Sequence, residues 1–311
     1  DYFHFDSRES IPIDFGPIPR FVPKILEENV NYRIQIKENG IMTKCMIEHT
    51  LGRMPQFLDF PVKDNGDWEK IKKRFIPHDI RRYSKNWGEE LFEYYNTTSS
   101  IVYLHIPGFF GKARELMGLE RCLISFYKNP RLIRDIMDFW CDFLIETTKE
   151  AVENIKIDYI TLWEDIGCKN GPLISPKLFE EFMLPNYKRL TSYLRRSGVD
   201  TIFVDSDGNN DAIMPLFVDG GVNGIYPLEV AAGEDAIALR KRYRKLILIG
   251  NLDKRALIQG KKATRQELES KLPSLINEGG YIPHLDHAAS PDIPFKNFRY
   301  YCELVKKYIS T

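Results

Sequence analysis

The sequence predicts an α/β fold, a (β/α)8 barrel with an antiparallel β-hairpin insertion near the N-terminus, on three observations. From about residue 100, short β-branched or aromatic runs alternate with longer amphipathic stretches. The short runs are mostly apolar, as strands covered on both faces are, and a repeated strand-helix order makes neighbouring strands parallel with right-handed crossovers. Polar residues collect at the carboxyl ends of many of these runs, not in one glycine-rich first loop. That distribution favours a closed barrel, where strand ends converge on one mouth, over an open doubly wound sheet.

In chain order, residues 11–15 read as the earliest barrel strand. Residues 32–37 and 41–46, joined through Glu38-Asn39-Gly40, read as a hairpin, because Asn-Gly accepts the positive φ angles of a tight turn. Residues 57–62 add a strand and 67–75 a short helix, so an appendage is expected over about 28–78 within a single barrel domain, 1–311. Further strands are expected at 101–106, 159–163, 201–205, 224–227, 246–250 and 280–285. Helices are expected at 131–154, 175–197, 235–243, 265–277 and 294–308, and a helix at 111–120 would make Arg114 and Glu115 ordinary surface or interlayer charges. Ser175-Pro176 supplies a helix cap and a first-turn proline, and Ser197-Gly198 a stop. This makes seven barrel strands in a chain that opens at Asp1 without methionine, so the first strand of the barrel is expected to precede Asp1.

The 311 residues are 43% hydrophobic and 28% charged, enough to bury a large core, which excludes a disordered or fibrous chain. Lysine plus arginine (44) equals aspartate plus glutamate (44), leaving no net field to gather nucleic acid or an anionic membrane. No run approaches the roughly 18–20 apolar residues of a membrane span, and the mean hydropathy is −0.34. The five cysteines are widely spaced and include no Cys-x-x-Cys, which fits a reducing cytoplasm better than a disulfide framework or zinc knuckle. A phosphate-binding Gly-x-x-x-x-Gly-Lys-Ser/Thr, a dinucleotide Gly-x-Gly-x-x-Gly, a His-Glu-x-x-His and a Gly-x-Ser-x-Gly elbow are all absent.

The strand ends supply the candidate chemistry. Asp205-Ser206-Asp207-Gly208 is the sharpest group: strand alternation would put both carboxylates on one side, with glycine allowing a turn, although a solvated Asx turn reads equally well. Asp286-His287 ends the last strand, where an imidazole can act as acid, base or ligand near neutral pH. Glu164 and Asp165 cannot both enter one pocket if the strand continues, so one is expected to function and the other to cap or pair. Glu164 is the one assigned to the site. Asn251 and Asp253 form a same-face pair, although Asp253 could simply cap the helix that follows. His105, Tyr226 and Glu229 also sit at strand ends, and His284 is expected to face the other way.

Gly250-Asn251-Leu252-Asp253-Lys254-Arg255, then Gly279-Gly280-Tyr281-Ile282-Pro283-His284-Leu285-Asp286-His287, then Pro291-Asp292-Ile293-Pro294 with Asn297, resembles the uroporphyrinogen decarboxylase superfamily. Leu173-Ile174-Ser175-Pro176 with residues 179–182, and Phe203-Val204-Asp205-Ser206-Asp207-Gly208, resemble it too. The resemblance implies a (β/α)8 barrel and one of two chemistries: decarboxylation of a porphyrinogen's acetate arms, or methyl transfer to or from a corrinoid. The arginine-rich stretch that binds substrate carboxylates in the decarboxylases has no counterpart here, though it would belong to the strand expected before Asp1. Ala113 falls where they carry a tyrosine, His287 matches their last-strand histidine, and Asp14 falls near their second-strand aspartate.

The thiol-directed methyltransferases of the superfamily hold zinc through a His-x-Cys and a later cysteine, and the matching positions here are Asp205, Asp207 and His287. Without cysteine a zinc-thiolate site is not expected. Those three residues are instead weak candidates for a harder divalent ion, and a metal-free route fits equally. The resemblance therefore implies a methyltransferase that moves a methyl group between a methylcorrinoid and a small acceptor such as tetrahydrofolate. Glu164, Asp205, Asp207 and His287 would be catalytic, and Asp14, His105, Tyr226, Glu229, Asn251 and Asp253 would contact substrate. The corrinoid would arrive on a partner carrier protein, no cofactor would be tightly held, and a homo-oligomer is compatible. The alternatives are porphyrinogen decarboxylation and a binding module that has lost its chemistry.

Overall fold

The computed structural model describes residues 2–47 and 54–310. Its centre is a parallel sheet of seven strands, β1 (Arg8–Ser10), β6 (Ile101–Pro107), β7 (Tyr159–Trp163), β10 (Ile202–Asp205), β11 (Gly224–Leu228), β12 (Ile247–Leu252) and β13 (Tyr281–Leu285), hydrogen-bonded in that order. Alternation gives each strand one apolar face for the helices. Val102, Leu104 and Ile106, Ile160 and Leu162, and Ile202 and Val204 are all at most 2% exposed. The opposite, concave face carries Tyr103, Tyr159, Phe203 and Tyr226, whose rings touch in sequence at centroid separations of 5.2, 5.5 and 6.0 Å. Among the described residues no pairing joins β13 to β1, so the sheet is a half-barrel in which β1 and β13 are the two edges.

Before it lies a four-stranded antiparallel sheet, β2 (Lys24–Glu28), β3 (Tyr32–Ile36), β4 (Met42–Met46) and β5 (Gln56–Asp59). The expected hairpin is β3–β4, turning at Asn39-Gly40 with Gly40 at φ 84°. β2 has no apolar alternation and is exposed at every position, so nothing in its residues announces a strand. Residues 48–53 of the expected appendage lie outside the described residues. The short two-stranded ribbon β8 (Gly167–Cys168) and β9 (Gly171–Pro172) follows β7.

The helical layer begins with α1 (Asn65–Ile71) and α2 (Glu89–Thr97) and continues with α3 (Phe109–Met117) and α4 (Leu119–Lys128). Then come α5 (Pro130–Asn154), α6 (Pro176–Leu178), α7 (Leu184–Arg196), α8 (Met214–Asp219), α9 (Ala236–Arg242), α10 (Lys254–Gln259), α11 (Lys261–Asn277) and α12 (Phe295–Ile309). Caps explain several starts: Asn129 accepts from Leu132 N ahead of α5, and Ser175 accepts from Leu178 N ahead of α6. None of the helices among the described residues is long and apolar enough to cross a membrane.

Three expected boundaries shift for physical reasons. The earliest barrel strand is β1, not 11–15, because Pro12 has no N–H and the ladder stops at Ile11, whose N–H donates to Tyr103 O. The helix at 175–197 is interrupted by a π-turn, Phe179–Met183, ahead of Pro185. The stretch at 111–120 contains parts of two helices divided at Gly118.

Candidate active site at the strand ends

The carboxyl ends of β7, β10, β11 and β13 bring acids together. Asp205 ends β10 on the concave side, in register with Trp163 and Tyr226 on its two neighbours. The strand stops at Asp205, so alternation does not carry on to Asp207. The chain turns at Gly208 (φ 78°), where an added Cβ would lie 2.6 Å from Cys168 N on the β8 ribbon. Asp207 thereby faces His287, with Oδ1 3.6 Å from Nε2. Glu229 is fixed by accepting from Gly208 N at 2.8 Å. Asp207, Glu229 and His287 each offer a ligand atom, all within 4.8 Å of one another, so it is Glu229, and not Asp205, that completes the group able to hold a cation.

The electrostatics follow from crowding. Burial, then Asp165 and Asp207, push Asp205 up to about 7, while the Tyr226 hydroxyl and His287 pull the other way. Asp207 is also raised, by burial and by Asp165. Burial, then the charge of Asp205, raises the Tyr226 hydroxyl in turn. Because the folded protein holds the Asp205 proton up to about pH 7 and the unfolded chain releases it near 3.8, this group weakens the fold progressively as pH rises between those values. Asp205→Asn is expected to remove that slope, stabilising the protein at pH 8 by on the order of 1–3 kcal/mol and little at pH 4. Urea unfolding at the two pH values reads this directly, and equal effects at both would contradict it.

Glu164 lies elsewhere than expected. It is fully buried and accepts from Phe109 N (2.8 Å), Gly111 N (2.9 Å) and Tyr187 Oη (2.5 Å). It therefore clamps the N-terminus of α3 to the end of β7 and does not open on the mouth. A Cβ on Gly108 would meet its Cδ at 2.3 Å, so only glycine allows this approach. Burial pushes Glu164 up to about 7 against the pull of these donors. The neighbouring Asp165, at φ 47°, turns the other way: Arg114 donates to its carboxylate at 2.8 Å and to its carbonyl at 3.0 Å. Of the two adjacent acids, Asp165 is the one beside Asp205 and Asp207.

Other expected contacts are also placed apart from this group. Asn251, at φ 65° and 1% exposed, accepts from Ala236 N at 3.1 Å and donates to Glu234 O at 2.7 Å, fastening the start of α9. Asp253 caps α10 by accepting from Arg255 N at 2.9 Å and pairs with the Arg255 guanidinium. Burial works to raise it, but these bonds hold it below the usual carboxylate range. Asp14 is bound by Gly16 N and by Arg20 at 2.5 Å. His105 sits deeper on the concave face, Nδ1 2.7 Å from Thr161 Oγ1, and burial lowers its pKa. His284, expected to face away from the mouth, points its Nδ1 at Leu285 O, 2.7 Å away. Sequence reasoning missed Glu234, 6% exposed, which accepts from Asn210 N at 2.7 Å behind the Gly208 turn.

Parallel strands that are each covered by helices, with polar groups gathered at their carboxyl ends, define a barrel-like α/β protein with a strand-end site. The chain belongs to the uroporphyrinogen decarboxylase (URO-D) family, whose sequence profile matches residues 106–308. Uroporphyrinogen decarboxylase from Xanthomonas campestris pv. campestris (strain B100) is 30% identical over 173 residues, 48% of this chain and 45% of that protein. Uroporphyrinogen decarboxylase from Legionella pneumophila (strain Corby) is 27% identical over 164 residues, 52% of this chain and 43% of that protein. The match thus spans a little under half the length of each decarboxylase. A solved methyltransferase from Methanosarcina mazei superposes with a TM-score of 0.60 at 15% identity, covering 90% of this chain and 76% of that one. At that identity the likeness is one of fold.

Proposed function

We propose that the protein moves a methyl group between a methylcorrinoid, delivered on a carrier protein, and a small acceptor such as tetrahydrofolate, at the mouth formed by Asp165, Asp205, Asp207, Glu229 and His287. The observation that carries this reading is the charge of the mouth. Four carboxylates gather there, against two cations close by, Arg114, which is committed to Asp165, and Lys254, which acts on Asp207. A porphyrinogen presents acid arms, which such a surface repels. The fold likeness to a protein named as a methyltransferase agrees. Porphyrinogen decarboxylation is the second reading, favoured by the names of the relatives found by sequence.

Methyl transfer needs donor and acceptor held in line and a proton moved at the acceptor. Asp205, with its carboxyl pushed up to about 7, can hold or take that proton near neutral pH. His287, 3.6 Å from Asp207, can relay it to solvent. Oxygen atoms of Asp207 and Glu229 with one imidazole suit a hard divalent ion and not a zinc-thiolate centre. The Cys168 thiol, in the adjacent ribbon, is turned to Gly171 O. If bound, such an ion would supply positive charge to the acceptor.

The test is an anaerobic methyl-transfer assay with full-length protein, methylcobalamin or a methylated corrinoid protein, and tetrahydrofolate or thiol acceptors. Methylated acceptor is the expected product. No turnover with any pairing contradicts the proposal.

A further inference from the structure

Among the described residues, the antiparallel sheet ends on an unpaired edge. β2 lies outermost, with β3 on one side and no strand on the other. All five of its residues are exposed, Ile25 at 52% and Leu26 at 43%, and Val22 and Val30 beyond its two ends are 85% and 82% exposed. An edge strand offers its free N–H and C=O groups to another chain, and monomers ordinarily blunt such edges with charges, proline or a bulge. β2 has both charges and a bulge, and here the bulge is what makes the charges complementary.

Lys24 lies opposite Ile36 and Ile25 opposite Gln35, but the register then shifts, so that Glu27 lies opposite Ile34 and Glu28 opposite Arg33. Cross-strand partners share a face, and Ile34 and Ile36 share one by alternation. Lys24 and Glu27 therefore stand on the same face, with Leu26 as the extra residue of the bulge. Without the bulge, two residues three apart would point to opposite faces. Their charges are also unanswered within the chain. Glu28 pairs with Arg33 at 2.7 Å, whereas Glu27 accepts only from Tyr32 Oη, and neither Glu27 nor Lys24 has an ion-pair partner among the described residues.

We propose that β2 pairs antiparallel with β2 of a second copy of this chain, about a twofold axis between Ile25 and Leu26. That axis sets Lys24 of each copy opposite Glu27 of the other, giving two ion pairs on one face, and sets Ile25 opposite Leu26 across the seam. It also brings Val22 of each copy beside the turn that carries Val30 of the other. A twofold contact uses one patch twice, so the patch must complement itself. β2 does so with one unpaired charge of each sign, and the two four-stranded sheets become one of eight strands. The contact is independent of the methyl-transfer reading.

The experiment is sedimentation equilibrium of full-length protein over roughly 5–300 μM, since a contact this short belongs with the small, reversible interfaces. A monomer–dimer equilibrium is expected. Lys24→Glu and Glu27→Lys each set like charges opposite one another at two points, and each is expected to weaken the dimer by about tenfold or more. The variant carrying both changes, and an equimolar mixture of the two single variants, are expected to restore it, because opposite charges face each other again. Glu28→Gln, outside these pairs, is expected to leave it within about twofold. All of these side chains are exposed, and far-ultraviolet circular dichroism checks that each variant is folded. The inference is overturned if the protein is monomeric throughout, if the single changes leave a dimer intact, or if neither the double variant nor the mixture restores it.

Discussion

The Glu164→Gln variant is expected to unfold with about 2–4 kcal/mol less free energy than the parent chain. The side chain has almost the same shape, so the loss isolates hydrogen-bond polarity. Glu164 uses both oxygens as acceptors: Oε1 takes Phe109 N–H and Tyr187 O–H, and Oε2 takes Gly111 N–H. Glutamine has one acceptor oxygen and one NH2 group, so in either orientation an N–H donor faces another N–H donor in a space that is 0% exposed. Protonated glutamate avoids this, because a proton on Oε1 can turn to Tyr187 Oη while the oxygen still accepts from Phe109 N. The substitution also removes negative charge from the N-terminus of α3, which its helix dipole favours. Denaturant unfolding at pH 7 measures the difference, and a loss below about 1 kcal/mol would contradict the clamp.

His287→Ala and Asp207→Asn are each expected to lower the rate of methyl transfer by about 10²–10³-fold, the range of a lost proton-transfer group. Both side chains are partly exposed, 40% and 45%, so neither change should cost more than a few tenths of a kcal/mol of stability. That separation of rate from stability distinguishes a role in the mouth from the structural role of Glu164. If either variant turned over at the parent rate, the His287–Asp207 pair would have no part in the reaction.

The parallel strands were legible because each offers an apolar face at period two, as Val102, Leu104 and Ile106 do. β1 was hidden by its own composition. In Arg8-Glu9-Ser10 no residue is apolar: Arg8 faces the aromatic row, and Glu9 accepts from Tyr94 Oη at 2.6 Å. Asp205, Asp207, Tyr226, Glu229 and His287 could be read from their places at strand ends. Which of Glu164 and Asp165 reaches the mouth could not, because the strand stops at Trp163 and Asp165 takes a positive φ, so alternation no longer says where either side chain points. Asn251 misled for the same reason, a left-handed backbone turning it toward Ala236 and Glu234. Arg114, read as an ordinary helix charge, became informative only once α3 placed it on Trp163.

The most direct test of the strand-end chemistry offers full-length protein both substrates in parallel anaerobic reactions: methylcobalamin with tetrahydrofolate or a thiol in one, uroporphyrinogen in the other. Methylated acceptor in the first, formed about 10²–10³-fold more slowly by His287→Ala, together with no carbon dioxide from the second, is the expected result. Carbon dioxide release from uroporphyrinogen without methyl transfer would contradict it and assign the site to decarboxylation.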